Sequence, residues 1–98
     1  MVYSVQPSRQ VKNYLKKCND RKLKQLFVDT IYEKIAVNPQ SGTPKKGNLS
    51  GLWTMGFIYN KNHYRVAYEI IDEVIVPIYL IGSHENFYRE LKRVLDRQ

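Results

Sequence analysis

The sequence predicts an α+β fold: a small, mostly antiparallel sheet with an N-terminal helical hairpin and a C-terminal helix, in the order β-α-α-β-β-β-α. Three observations predict it. Two stretches before residue 38 repeat apolar residues at helical spacing, three stretches between 52 and 81 alternate or run apolar as strands do, and helical spacing returns after Ser83. The 98 residues suit one domain, spanning 1–98, with one modest core.

Val2 to Gln6 is a short candidate strand, rich in β-formers and closed by Pro7. Ser8 is placed to cap a helix on which Val11, Tyr14, Leu15 and Cys18 form the apolar face. Cys18, on that face, is expected to be a small buried hydrophobe, and as the single cysteine it forms no intrachain disulfide. Asn19-Asp20 breaks the helix and caps a longer one. Leu23, Leu26, Phe27, Thr30, Ile31 and Ile35 line one side of it, and it stops near Asn38-Pro39. So short a link pairs the two helices as an antiparallel hairpin.

Pro39 to Gly51 reads as a long loop, rich in glycine, proline and small polar residues. Leu52 to Tyr59 alternates, with Trp53, Met55, Phe57 and Tyr59 on one face, and Asn60-Lys61-Asn62 turns it into a return strand from His63 to Ile71. There Tyr64, Val66, Tyr68 and Ile70 face the core, while His63, Arg65, Ala67 and Glu69 face the other way. Asp72-Glu73 turns the chain again. Val74 to Ile81 is apolar on both faces, as in a strand inside a core, and Pro77 within it marks a bulge or a free edge. The last helix is expected from Ser83 to the end.

Sixteen Lys and Arg against nine Asp and Glu give a net charge of +7, with a pI near 9.6. That balance implies an anionic partner: nucleic acid, an acidic protein, or both. No apolar run approaches the ~20 residues of a membrane span. The start Met-Val-Tyr-Ser lacks the basic-then-apolar layout of a secretion signal, so a cytoplasmic location is expected. His63 and His84 lack metal-site spacing, and no metal or other cofactor is expected.

Five residues are candidates for chemistry. Arg65 has two readings: a surface arginine paired with Glu69, or a guanidinium that clamps a phosphate bidentately. His84 is either a cap or surface residue at the helix start or a proton donor beside a phosphate held by the helix N-terminus. Tyr88, one turn on, is either a half-buried aromatic or a group that orients a base or phosphate. Lys45 and Lys46 are either solvated charge or a phosphate-gripping pair.

The stretches Asn48-Leu-Ser-Gly-Leu-Trp53, Tyr64-Arg-Val-Ala-Tyr-Glu-Ile70 and Ile81-Gly-Ser-His-Glu-Asn-Phe-Tyr88, in this order, resemble the RelE/ParE superfamily of bacterial toxins, nearest its RelE/YoeB-like branch. The resemblance covers nearly the whole chain. It implies a toxin of a type II toxin–antitoxin system, held as a hetero-oligomer by a cognate antitoxin, expected to be acidic and partly disordered. It also implies a metal-independent endoribonuclease, an mRNA interferase that cuts mRNA on the ribosome. A ribose 2′-hydroxyl would attack the adjacent phosphate, leaving a 2′,3′-cyclic phosphate and a 5′-hydroxyl. By motif position Arg65 matches the family's phosphate-stabilising strand arginine, His84 the His or Arg before the last helix, and Tyr88 the C-terminal tyrosine.

Two departures bear on mechanism. RelE-like members carry lysines on the strand matching Leu52 to Tyr59, and this one has none. YoeB-like members have a glutamate in the preceding loop, where this chain has Lys45-Lys46. The general base is therefore without a candidate, with Lys45, Lys46 or the ribosome and RNA as the alternatives. A ParE-like inhibitor of DNA gyrase without nuclease chemistry and a basic RNA-binding domain are the competing functions.

Overall fold

The computed structural model describes residues 2–72 and 74–96. Glu73 of the expected turn and Arg97 and Gln98 of the expected final helix lie outside the described residues. The order is β1 (Ser4–Pro7), α1 (Arg9–Lys17), α2 (Arg21–Asp29), a π-helical turn (Thr30–Ile35), β2 (Thr43–Pro44), β3 (Leu52–Tyr59), β4 (Asn62–Glu69), β5 (Ile75–Ser83) and α3 (Phe87–Asp96). The five strands form one sheet in the order β1-β5-β4-β3-β2. β1 runs parallel to β5, and the other pairs are antiparallel.

Both helices of the N-terminal hairpin start where a side chain satisfies their first free N–H groups. Ser8 Oγ accepts from Val11 N at 3.2 Å. Asp20 Oδ1 accepts from Lys22 N and Leu23 N at 3.1 and 3.2 Å. The Tyr59 hydroxyl donates to the same carboxylate at 2.8 Å, tying the start of α2 to the end of β3. The backbone bond from Leu23 and then the Tyr59 bond hold the Asp20 carboxyl below the usual range. Cys18 departs from expectation. It follows the last turn of α1, half exposed, with Sγ 3.5 Å from Asp20 O.

The hairpin covers one face of the sheet. Val11, Leu23, Phe27, Ile31 and Ile35 pack there on Val66, Tyr68, Val76 and Ile78. Phe27 is the hub, fully buried, with Tyr14, Phe57 and Tyr64 meeting it edge-on at ring-centroid distances of 5.5, 5.0 and 5.7 Å. α3 covers the other face through Phe87 and Leu91 on Leu52, Ala67 and Leu80. The alternation predicted for β3 and β4 thus matches the two packed faces.

The stretch from Pro39 to Gly51 is more ordered than a loop. It holds two 3₁₀ turns and the two-residue edge strand β2, absent from the predicted order, which pairs with Thr54 and Trp53. Its path is fixed from beneath: the buried Tyr68 hydroxyl donates to Pro39 O at 2.7 Å. Gly42 crosses so close that an added Cβ would strike the Tyr68 hydroxyl and lie 2.8 Å from Thr54 O. Only glycine lets the chain pass there. The β3–β4 turn is a two-residue type I′ hairpin, with Asn60 and Lys61 at φ of 50° and 65°.

β5 carries an irregularity in its pairing with β4. Ala67 pairs with Leu80, yet Tyr68 pairs with Ile78, so Tyr79 is an extra residue. Ile78 and Ile81 pack toward the hairpin, while Tyr79 and Leu80 both pack toward α3. The bulge expected from Pro77 therefore exists two residues further on. The free edge does not, because Pro77 lies opposite Gln6 of β1. The Tyr79 hydroxyl donates to Glu69 Oε1 at 2.6 Å.

Tyr68 and Tyr79 together set an alkaline limit. Burial first, and for Tyr79 the Glu69 carboxylate second, pushes each phenol up from 10.0 to about 12. A raised folded pKa contributes stability that is complete below the unfolded value and lost as pH rises through the folded one. Stability is expected to fall between pH 10 and about 12. Denaturant melts of Tyr68→Phe and Tyr79→Phe across that window should show a shallower fall than the parent, and an unchanged slope would contradict this account.

Candidate functional site

The end of the sheet away from the β1–β5 parallel pairing brings β3, β4 and the end of β5 beside the start of α3. Arg65 points from β4 onto the α3 side. Its cross-strand neighbours are both glycines, Gly56 on β3 and Gly82 on β5. A Cβ at Gly56 would lie 2.8 Å from Tyr64 O and 3.6 Å from Arg65 Cγ, so the strand can approach this closely only as glycine. The guanidinium thus rises from a floor with no side chain on either side.

Arg65 Nε donates to His84 Nδ1 at 3.0 Å. Glu69, the expected partner of Arg65, accepts instead from Tyr79, so the paired-surface-arginine reading fails. Tyr79, the residue after Ile78, falls on Glu69's side of the sheet by alternation along β5.

His84 also reaches the site by a route other than the one expected. α3 begins at Phe87, not Ser83. His84 lies in the turn before it, held by its N–H to His63 O at 2.7 Å. Asn86 at φ 62° and the Phe87 N–H to His84 O bond at 3.1 Å close the turn. Left-handed Asn is what separates strand from helix here, because it stops the helical pattern from extending back. His84 and Tyr88 still meet, with ring centroids 6.2 Å apart at 84°.

Tyr88 is half-buried, braced edge-on by Phe87 at 5.5 Å. Two cations lie over its ring: Lys45 Nζ at 5.1 Å and Arg65 Cζ at 6.0 Å from the centroid. Lys45 arrives because its backbone N–H bonds Leu52 O at 2.8 Å, which lays the 39–51 stretch along β3. Four of the five predicted residues, Arg65, His84, Tyr88 and Lys45, therefore converge. Lys46 is next to them in sequence but exposed, and its side chain makes no hydrogen bond or ion pair among the described residues.

This arrangement can bind and polarise an oxyanion. It offers two fixed cations and an imidazole with one nitrogen already engaged. A ring nitrogen that accepts from Arg65 carries no proton, so in the neutral ring the proton is on Nε2. The exposed Lys12, Lys16 and Lys17 belong to α1, across the sheet from this site. His63 was not among the predicted site residues. The alternation of β4 had nevertheless placed it on Arg65's face, and in the structure it lines a cavity of about 460 Å³ together with His84. No helix among the described residues is long and apolar enough to cross a membrane.

A family model described as the ParE-like toxin of type II bacterial toxin–antitoxin systems matches residues 5–92. No curated protein matches the sequence significantly. Among solved structures, a chain of the RelBE2 toxin–antitoxin complex of Mycobacterium tuberculosis superposes with a TM-score of 0.72 at 21% identity, over 86% of this chain and all of that one. A mutant of the E. coli toxin RelE in the free state gives 0.69 at 15% identity, over 95% and 98%. The intact E. coli RelBE complex gives 0.64 at 14%, over 82% and 94%. At such identities the likeness is one of fold.

Proposed function

The chain belongs to the ParE-like toxins of type II bacterial toxin–antitoxin systems, and from that premise we propose that it is a ribosome-dependent mRNA endonuclease working by 2′-hydroxyl attack. The observation that carries this reading is the Arg65–His84 hydrogen bond, set against Tyr88 and beside Lys45.

The geometry supports this chemistry. An arriving phosphodiester offers Arg65 a charged, bidentate acceptor, stronger than a neutral ring nitrogen. Arg65 then turns from His84 to the phosphate, and Nδ1 is freed to take up a proton. The resulting imidazolium sits beside the phosphate and donates to the leaving 5′-oxygen. Arg65 and Lys45 neutralise charge that builds on the phosphate during attack, and Tyr88 holds the imidazole and the lysine in place. No step uses a metal. Lys46, exposed beside Lys45, extends the grip along the RNA backbone.

The partner that keeps such a toxin silent is a cognate antitoxin, with an acidic and partly disordered segment suited to a +7 surface. A cytoplasmic location goes with this target.

The test is to add purified protein to ribosomes carrying a defined mRNA and map the new ends. Fragments with 2′,3′-cyclic phosphate and 5′-hydroxyl ends, formed only on ribosome-bound message, are expected. Intact transcripts together with DNA damage on induction in cells would favour a gyrase inhibitor instead. Binding without either effect would leave a basic RNA-binding domain.

A further inference from the structure

We propose that His63 is the general base of this site, the group that takes the proton from the attacking 2′-hydroxyl; the assignment rests on the nuclease reading above. The reaction needs a base and an acid on either side of the phosphate. His84 has the position of the acid, and no residue has yet been given the other role.

The geometry points to His63 for three reasons. It lies on β4 two residues before Arg65, so the strand's alternation puts both side chains on one face. Together with Tyr64 it lines two open cavities of about 460 Å³ each. Arg65 lines one of them and His84 the other. Its backbone carbonyl accepts the His84 N–H at 2.7 Å, which fixes the two histidines side by side, one on β4 and one in the turn after β5.

Its competitors are less suited. Lys45 presents a cation to the Tyr88 ring, and a cation has no lone pair with which to accept a proton. His84 serves as the imidazolium acid in the same step, and an imidazolium has no free lone pair with which to accept the 2′-proton. The His63 ring makes no hydrogen bond among the described residues and is exposed, so a ring nitrogen is free. The titratable and charged groups around it are Lys61, Tyr64 and Arg65 from its own hairpin and His84 and Glu85 from across the cavity. The facing residues of β3, Gly56, Phe57 and Ile58, do not titrate.

The step balances without a co-reactant. The 2′-O–H proton passes to His63 as the 2′-oxygen forms its bond to phosphorus. The P–O5′ bond breaks, and the 5′-oxygen takes a proton from the His84 imidazolium. The products are the cyclic phosphate and the 5′-hydroxyl, with the proton exchanged between the two rings.

Single-turnover cleavage of ribosome-bound mRNA tests this, using a message with its ordinary scissile linkage and one with sulfur in place of the bridging 5′-oxygen there. A sulfur leaving group needs no acid but still needs a base. His63→Ala and His63→Gln are expected to slow the ordinary message about 100-fold and to stay slow on the sulfur message. His84→Ala should be slow on the first and recover on the second. The parent's rate should fall at both low and high pH, and the His63 variants should lose the low-pH fall. Recovery of His63→Ala on the sulfur message, a rate within about threefold of the parent, or a retained low-pH limb overturns the assignment. If the parent itself does not cleave, the nuclease reading fails and the assignment goes with it.

Discussion

Arg65→Ala is expected to slow cleavage of ribosome-bound mRNA about 10²–10³-fold, the usual cost of removing one donor aimed at developing charge. The fold should survive. The Arg65 side chain is half exposed, and among the described residues its one hydrogen bond goes to an exposed histidine rather than into either core. Melting temperature and near-UV spectrum should therefore match the parent. Arg65→Lys is the informative second variant. It keeps the charge but loses the forked donor geometry, so it should recover only part of the rate. Cleavage by Arg65→Ala at the parent's rate would remove the guanidinium from the mechanism.

The second large effect concerns the scaffold. Phe27→Ala is expected to cost about 3–5 kcal/mol, because it empties the centre of the larger core. No part of Phe27 reaches solvent, and three other aromatic rings lean on it edge-on. Domains of this kind hold only about 5–15 kcal/mol in all. The melting temperature should drop by on the order of 15–20 °C. Thermal unfolding by circular dichroism measures this, and a drop under about 5 °C would mean that the core refills the space.

Local patterns in the chain were reliable where structure follows from neighbours in sequence. Ser8 and Asp20 cap the helices they were expected to cap. The faces of β3 and β4 follow from alternation, and so does Arg65's side of the sheet. What could not be read was set by contacts between distant residues. β1 joins β5 across some seventy residues, and nothing in either strand states that the pairing is parallel. The partner of Glu69 comes from another strand, ten positions away. The 39–51 stretch is ordered by a tyrosine hydroxyl 29 positions away from Pro39. The start of α3 was misplaced because Ser83 to Asn86 fits helical spacing, while one left-handed asparagine overrides it. His84 and Tyr88 were correctly expected to meet, for a reason that turned out to be different.

The bulge at Tyr79 has a consequence for how this site tolerates change. Side chains on a strand obey a parity, odd positions to one side and even to the other. Ile78 faces the N-terminal helices, so unbroken counting would send residues 80, 82 and 84 there as well. His84 would then hang on the far side of the sheet from Arg65, with the two imidazoles of the chain divided between its faces. One inserted residue resets the count. Substitutions at Tyr79 leave that count intact, whereas gain or loss of a single residue between Ile78 and His84 reverses it. The length of this segment, independent of its composition, is therefore part of what specifies the site.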